Sequence, residues 1–382
     1  MPMVLATDTD TTELMKMWQD IFGDSKSFTK YYYDVKAIDN EILLNKKEDI
    51  IISMIHLNPY NMLINHQNET VDYIVGVATK PEYEGQGYMK ATMLESLYRL
   101  YNKGHSFTLL MPIDERIYTR FDFSFIYNRY EVYINNKELI NYKCRSYEGK
   151  AIKIDAVDEM RTFFKHYMEQ NYKTYVKRDH RLWQNIYCEI DSEKGEMVAF
   201  YNESNQMAGY IIYHNLEDIC EVREMMYSDY NVLKHILTYI SDTSIAEKIK
   251  INAHHLEINH FIPYGKDTKI VFKPYIMGRV IQVEKFLRLF NLPVAFKIRI
   301  IDPIIKENTG IYKCNQGLTE IERTNEKPDI EMTVDTLMEW LMGYTDLKTL
   351  YDLDKVKVYN IDSYNLLENK MIQNKMYFNE IV

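Results

Sequence analysis

The sequence predicts an α/β (mixed α+β) protein of two or three closely packed domains. Three observations carry this. The 382 residues exceed what one typical core accommodates. A strand, a glycine turn, a helix and a second strand follow one another without a break between residues 70 and 111. Strands and helices go on alternating afterwards, and no low-complexity linker marks a join.

In the N-terminal part, Thr11 to Phe22 is amphipathic, with Thr11 or Thr12 as its expected N-cap. Residues 41–45 and 49–55 read as paired strands around the polar turn Lys46-Lys47-Glu48. Thr70 to Thr79 is rich in β formers and Pro81 ends it. Met89, Met93, Leu97 and Leu100 recur at helical spacing between Tyr88 and Lys103, and Gly104 suits the C-cap. Ser106 to Met111 is a short apolar strand, so the unit is βαβ with parallel pairing.

A second unit begins near Ala151. It contains a helix from Asp158 to Tyr175, a hairpin of 197–201 and 207–213, and a helix from Val232 to Ile245. Its order resembles the first unit, but nothing replaces the glycine turn. A third unit begins near Lys273, with helices at 282–291 and 334–342 and strands at 294–301 and 310–314.

Hydrophobic residues make up 46% of the chain and charged residues 27%, as in ordinary soluble proteins. The net charge of -10 argues against nucleic acid as the main partner and favours cationic ones. Cys144, Cys188, Cys220 and Cys314 are far apart and show no C-x-x-C spacing, which implies reduced thiols with neither a disulfide framework nor a zinc site. The start Met1-Pro2-Met3-Val4 lacks a signal peptide, and no apolar run approaches the roughly 18 residues of a membrane helix. A cytoplasmic protein is expected. His254-His255-Leu256-Glu257-Ile258-Asn259-His260 is the best metal-like cluster, but His255 and His260 are five apart and share no helix face, so no metal is expected.

The functional signal lies at Thr79-Lys80-Pro81-Glu82-Tyr83-Glu84-Gly85-Gln86-Gly87. Two glycines turning into a helix N-terminus can bring several backbone N–H groups onto a phosphate, with the helix dipole in support. Taken alone, G-x-G describes an ordinary tight turn equally well.

The run from Val77 to Met89 resembles motif A of the GNAT acetyltransferases. Ile117-Tyr118-Thr119-Arg120-Phe121-Asp122-Phe123 resembles the I-Y-x-R-F-G-[YF] segment of the Eis-type (enhanced intracellular survival) branch of that family. Arg181-Leu182-Trp183 and Ala208-Gly209-Tyr210 resemble its second, degenerate GNAT domain. Pro274 to Val280 followed by Val283-Glu284-Lys285-Phe286-Leu287 resembles the start of its sterol-carrier-protein-like domain. The resemblance therefore implies two tandem GNAT-like domains, the second degenerate, and a C-terminal sterol-carrier-protein-like α+β domain, with boundaries at 1–148, 149–272 and 273–382.

It also implies an N-acetyltransferase that uses acetyl-CoA as co-substrate and acetylates a primary amine of a small cationic acceptor by direct transfer in a ternary complex. Aminoglycosides, polyamines and lysine-like amines are the candidate acceptors. Coenzyme A is expected on Val77, Ala78, Thr79, Gly85, Gln86, Gly87, Tyr88, Met89 and Lys90, with Ile113 and Asp114 flanking it. Tyr118 matches the general acid, since a phenol of pKa about 10 stays protonated at neutral pH. The family's base is the C-terminal carboxylate, here on Val382. A homohexamer is implied, with no membrane and no nucleic acid. Two departures bear on this: Glu84 puts an anion in the loop where Arg or Gln is usual, leaving Lys80 or Lys90 to compensate, and Asp122 replaces a glycine. The alternatives are a coenzyme A-binding sensor with little catalysis and a lipid-carrier role for the last domain.

Overall fold

The computed structural model describes residues 3–139, 147–254, 258, 260–263, 265–317, 321–371 and 374–380. Cys144 and Val382, and His255 and Glu257 of the histidine cluster, lie outside the described residues.

The N-terminal part contributes strands β1 (Val4–Leu5), β2 (Glu41–Lys47), β3 (Ile50–Ile64), β4 (Gln67–Thr79), β5 (Phe107–Leu110) and β6 (Ser124–Asn135). Its helices are α1 (Thr11–Phe22), α2 (Lys26–Tyr31), α3 (Tyr88–Lys103) and α4 (Glu115–Tyr118). Leu14, Met17 and Trp18 form the buried stripe of α1; Met93, Leu97 and Leu100 form that of α3. Gly104, with φ +82°, ends α3 as its C-cap. The residue before α1 is Asp10 rather than Thr11 or Thr12. Thr7 and Asp10 instead form a reciprocal capping box on the short turn ahead of it. The β2–β3 turn falls at Glu48 and Asp49, both left-handed, so β2 runs two residues further than its apolar pattern suggested.

The middle part adds α5 (Asn136–Leu139), β7 (Glu148–Ala151), α6 (Val157–Asn171), β8 (Thr174–Val176), α7 (His180–Ser192), β9 (Glu196–Tyr201), β10 (Met207–Asn215), β11 (Cys220–Tyr227), α8 (Tyr230–Thr243), β12 (Lys248–Ala253) and β13 (Lys269–Val280). The helix expected to reach Tyr175 stops at Asn171, because Thr174, Tyr175 and Val176 extend to pair with the end of β3. Strands from both parts join in one 14-stranded sheet of order β1-β2-β3-β4-β5-β13-β6-β12-β11-β10-β9-β7, with β8 branching from β3.

Placement of β13 is the main topological finding. It slots between β5 and β6 and pairs antiparallel with both. The expected start of the third unit at Lys273 thus falls inside a strand of the large sheet. The first part of the fold is completed only after the chain has passed through the second.

The last part holds α9 (Val283–Arg288), β14 (Phe296–Ile301), β15 (Gly310–Cys314), β16 (Ile321–Thr324), β17 (Ile330–Thr333), α10 (Val334–Leu341), α11 (Leu347–Asp352), β18 (Lys357–Val358) and α12 (Ile361–Lys370). Its five strands form a separate sheet, β16-β15-β14-β17-β18. One apolar cluster runs from Tyr60, Tyr73 and Phe107 of the large sheet to Phe286, Ile298, Leu337 and Leu367, so the two layers share a core. No helix among the described residues is long and apolar enough to cross a membrane.

The C-terminal segment returns to the large sheet. Strand β19 (Met376–Tyr377) pairs parallel with β8. Beyond it Phe378, Asn379 and Glu380 are buried. Arg178 sits beneath this tail. Its Nη1 and Nη2 donate to the Glu224 carboxylate at 2.7 and 2.8 Å, and its Nε donates to Glu380 at 2.9 Å. Tyr210, Tyr377 and Asn379 also donate to Glu224, at 2.6, 2.6 and 2.7 Å. Burial pushes the Glu224 carboxyl up, but Arg178 and these donors hold it well below the carboxylate range. Glu380 goes the other way: burial and the charge of Glu224 raise it, and Arg178 offsets only part of the rise.

Removing one partner of such a buried set strands the others. Arg178→Met is expected to lower stability by about 3–5 kcal/mol, measured as a lower urea midpoint together with new proteolytic cleavage in the C-terminal tail. A midpoint and a cleavage pattern equal to those of the parent would contradict the role given to Arg178.

Candidate active site

β4 and β5 are parallel neighbours for only two residue pairs, Tyr73 with Leu109 and Ile74 with Leu110. Beyond them the strands part. The gap is a cavity of about 320 Å³ lined by Trp18, Phe22, Asp24, Tyr73, Val75, Val77, Met111, Ile113 and Tyr118 among others. On its far side β4 stays paired to β3, but the register slips between Met54 and His56. Gly76 sits at this slip with φ +59°, and a Cβ there would lie 2.6 Å from the Trp18 ring. The bulge and the close approach of Trp18 both require glycine. Sequence reasoning passed over Gly76, although a lone glycine inside a β run is itself a bulge signal.

The glycine loop leads from β4 into α3. Pro81–Tyr83 makes one tight turn; Gly85 and Gly87 then take φ +72° and +86°. Nothing lies within 4 Å of where their Cβ atoms would be, so it is the left-handed backbone and not crowding that demands glycine. Gly87 is the N-cap of α3, with no side-chain cap and no acidic residue in the first turn. The first N–H groups of this 16-residue helix, at Tyr88, Met89 and Lys90, are therefore not taken by a side chain of the helix's own start. Tyr88 and Met89 are half-buried, and Gln86 and Lys90 exposed. Gln86 donates to the Glu82 carbonyl at 3.1 Å. Such a helix start suits an anion.

Lys80 does not compensate Glu84: its ammonium is paired with Glu13 at 2.6 Å. Glu84 itself is exposed. On the strand, Val77 lines the cavity while Ala78 and Thr79 are held in register with Met54 and Ser53 of β3.

Across the cavity, Asp114 caps α4, accepting from the Arg116 amide at 2.9 Å. The Arg116 side chain, also on Asp114, lowers that carboxyl to about 2. Ile113 is 77% exposed at the cavity rim. Tyr118, the last residue of α4, is 5% exposed and packs edge-on against Phe123 at 6.2 Å. Burial pushes its hydroxyl up to about 12, so it holds its proton at any physiological pH. That hydroxyl has no hydrogen-bond partner among the described residues, which leaves it available to whatever occupies the cavity.

The turn after Tyr118 is fixed from behind. Arg279, on β13, is fully buried; its Nε donates to the Phe121 carbonyl at 2.8 Å and its Nη2 to Asp302 at 2.8 Å. Asp302 in turn accepts from the amides of Ile304 and Ile305 and from Asn308. Arg279 thus ties the Tyr118 turn to the last part of the chain, a link invisible to local sequence patterns. Asp122 closes the turn in the left-handed conformation glycine favours, φ +59°, ψ +33°. Its carboxyl lies 3.6 Å from Arg279, with Oδ2 buried and unbonded.

The middle part repeats the β4-α3-β5 arrangement as β11-α8-β12, with parallel pairing from Cys220–Val222 to Ile249–Ile251. Two differences close it. Only Ser228 and Asp229 separate β11 from α8, and the Asp229 carboxylate occupies the helix start, accepting from Asn231 at 2.8 Å and Val232 at 3.3 Å. Tyr377 of the returning tail enters the gap between the strands, leaving about 20 Å³, room for one water molecule. Among the described residues no group of three or more His, Cys, Asp or Glu is placed to hold a metal ion.

An acetyltransferase (GNAT) domain model matches residues 4–126, a second acetyltransferase (GNAT) domain model matches 174–280, and a sterol carrier protein domain model matches 283–378. The chain thus carries two GNAT acetyltransferase domains and a sterol carrier protein domain. Among solved structures, Eis1 from Mycobacterium abscessus is similar over 100% of each chain with a TM-score of 0.75 at 11% identity. A protein from Enterococcus faecalis V583, described as a probable N-acyltransferase, is similar over 99% of each chain with a TM-score of 0.85 at 16% identity. A GCN5-related N-acetyltransferase from Anabaena variabilis is similar over 98% of each chain with a TM-score of 0.83 at 15% identity. At these identities the likeness is one of fold. No curated protein matches the chain in sequence. GNAT domains use acetyl-CoA, and the first part's glycine loop and strand gap would suit it: an open helix start for the pyrophosphate and a free strand edge for the amide-rich arm.

Asp122 gives this protein a pH signature. Burial raises its carboxyl to about 6 and Arg279 offsets only part. A carboxyl raised on folding destabilises the native state once pH rises through the folded value. Asp122→Asn, which keeps a residue tolerant of the left-handed turn, is expected to raise stability on the order of 1–2 kcal/mol at pH 8 and to change it little below pH 4. Thermal midpoints across pH 4–9 check this; a pH-independent difference would contradict it.

Proposed function

We propose that the first part's cavity transfers the acetyl group of acetyl-CoA directly to a primary amine of a small cationic acceptor, with Tyr118 as general acid. The observation that carries this is the position of Tyr118: buried, protonated and lining the gap beside β4, the strand that runs on into the glycine loop. The thioester supplies the activated acetyl carbon. Backbone N–H groups from Gln86 to Lys90 and the edge of Val77-Ala78-Thr79 would hold its carrier, with Ile113 and Asp114 at the rim. Tyr118 Oη holds a proton where the departing sulfur needs one.

The lining fits a cationic amine. Trp18, Phe22, Tyr73 and Tyr118 present aromatic rings, and the Asp24 carboxylate, which accepts from Trp18 Nε1 at 2.7 Å, adds a negative charge at the mouth. Polyamines, aminoglycosides and lysine-like amines share this chemistry.

The acceptor must lose a proton to become nucleophilic. We assign that step to the C-terminal carboxylate of Val382. Support comes from the residues that precede it. Phe378 packs against Tyr73, a cavity residue, with ring centroids 5.5 Å apart. Glu380, two residues before the terminus, is 3% exposed and held by Arg178. Assembly as a homohexamer, on the family resemblance, and residence in the cytoplasm belong to the same proposal.

A thiol-release assay over an amine panel, run on a chain with a native C-terminus, tests the reading. Tyr118→Phe is expected to lower kcat by about 10²–10⁴-fold with the KM for acetyl-CoA changed less than about threefold, and a short C-terminal extension to abolish turnover. Parent-like turnover in Tyr118→Phe would remove the acid role; parent-like turnover in the extended chain would remove the base role.

A further inference from the structure

Two phenols line the gap between β4 and β5, and acetyl transfer as described uses only one of them. Tyr73 shares the lining with Tyr118. It pairs with Leu109 just before the strands part. Its ring is held between Tyr60 and Phe378, with centroids 6.0 and 5.5 Å away. The Tyr73 side chain is buried, and its hydroxyl makes no hydrogen bond among the described residues. That hydroxyl is nevertheless not sealed: Oη keeps open surface where Tyr73 lines the cavity.

Alternation along β4 puts the two phenols on opposite faces of the sheet. Ile74 and Val77 pack with Met93, Leu97 and Leu100 of α3, and Tyr118 packs with them. Tyr73 and Val75 point the other way, into the core shared with Tyr60 and Phe378, and Val75 also reaches the α1 cluster around Trp18. The open helix start belongs to the α3 face. Trp18, Phe22 and Asp24, at the end of α1 and just after it, line the cavity from the other. An acyl donor held at the start of α3 and an amine drawn to Asp24 thus meet in the gap from opposite faces. Tyr118 stands on the donor's side and Tyr73 on the amine's.

Burial, with Tyr275, Glu380 and Tyr118 nearby, pushes the Tyr73 phenol well above its usual range, so it stays neutral. A neutral hydroxyl with no protein partner has lone pairs free for an amine N–H.

We propose that Tyr73 is a second catalytic residue of this site: its Oη accepts a hydrogen bond from one N–H of the attacking amine, aims the nitrogen lone pair at the acetyl carbon, and thereby selects primary amines. This rests on the acetyl-transfer reading above. In the step, the lone pair forms the C–N bond as the C–S bond breaks, and Tyr118 gives its proton to the sulfur. One amine proton leaves to the carboxylate assigned as base. The other stays on the amide nitrogen, and it is the one Tyr73 holds; Tyr73 keeps its own proton. A secondary amine has a single N–H, whose proton must leave, so Tyr73 has none to hold.

Steady-state kinetics on the full chain with a native C-terminus test this, using phenethylamine beside N-methylphenethylamine and putrescine beside its N,N′-dimethyl derivative within the amine panel. Tyr73→Phe is expected to lower kcat/KM for the primary amine roughly tenfold and to leave the KM for acetyl-CoA within about twofold. The preference for the primary over the N-methyl amine is expected to narrow by a similar factor. The variant is expected to melt with the parent, since Oη has no protein partner to lose. Parent-like amine kinetics in Tyr73→Phe, or an unchanged primary-to-secondary ratio, overturns the role and leaves the Tyr118 assignment intact. A melting temperature well below the parent's also overturns it, because the hydroxyl would then serve the fold. A parent chain that acetylates no primary amine of the panel removes the acetyl-transfer reading and this proposal together.

Discussion

Arg178 ties the C-terminal tail of this molecule to its middle part. Its guanidinium lies fully buried between Glu224 of the middle part and Glu380 of the C-terminal tail. An ion set of this kind gains little in net stability over an apolar core, but it tolerates only one arrangement, because any other leaves a charge unmet. The tail is thereby committed to the seam between the two GNAT-like halves. Its aromatic residues then have separate tasks: Tyr377 fills the strand gap of the middle part, and Phe378 packs behind Tyr73 at the cavity of the first. The same few residues fill one strand gap and pack against the lining of the other.

The two halves differ mainly in whether the helix start that follows the central strand is open or occupied. Both have parallel strands bridged by a helix and parting at one end. In the first, two left-handed glycines deliver an uncapped helix start to an open gap. In the second, the linker shrinks to Ser228 and Asp229, and a carboxylate sits on the helix start where a pyrophosphate would otherwise bind. A negative charge there satisfies the same N–H groups and repels a phosphate.

Much of the first part was legible in the sequence. The α3 pattern of Met89, Met93, Leu97 and Leu100 ends at Gly104 as read, and the glycine loop sits where its spacing put it, since both are local signals. Only resemblance singles out Tyr118, one tyrosine among 33. Non-local features stayed hidden. Residues 269–280 alternate like any strand, and nothing in them says that they slot between β5 and β6. Arg279 and Arg178 look like any arginine until partners as many as 158 and 202 residues distant, respectively, are brought to them. Gly76 was legible in principle as a break in a β run, but only the approach of Trp18 shows why it is there.

The glycine loop and the β4–β5 gap of the first part are proposed as the one coenzyme A site. The stoichiometry of coenzyme A binding by titration calorimetry tests this most directly, on the parent chain and on Gly87→Asp, which places a carboxylate at the start of α3 as Asp229 does at α8. One coenzyme A per chain, with binding lost in Gly87→Asp, is the expected result. Two per chain, or undiminished binding in Gly87→Asp, would contradict the assignment of the site to the glycine loop and the β4–β5 gap.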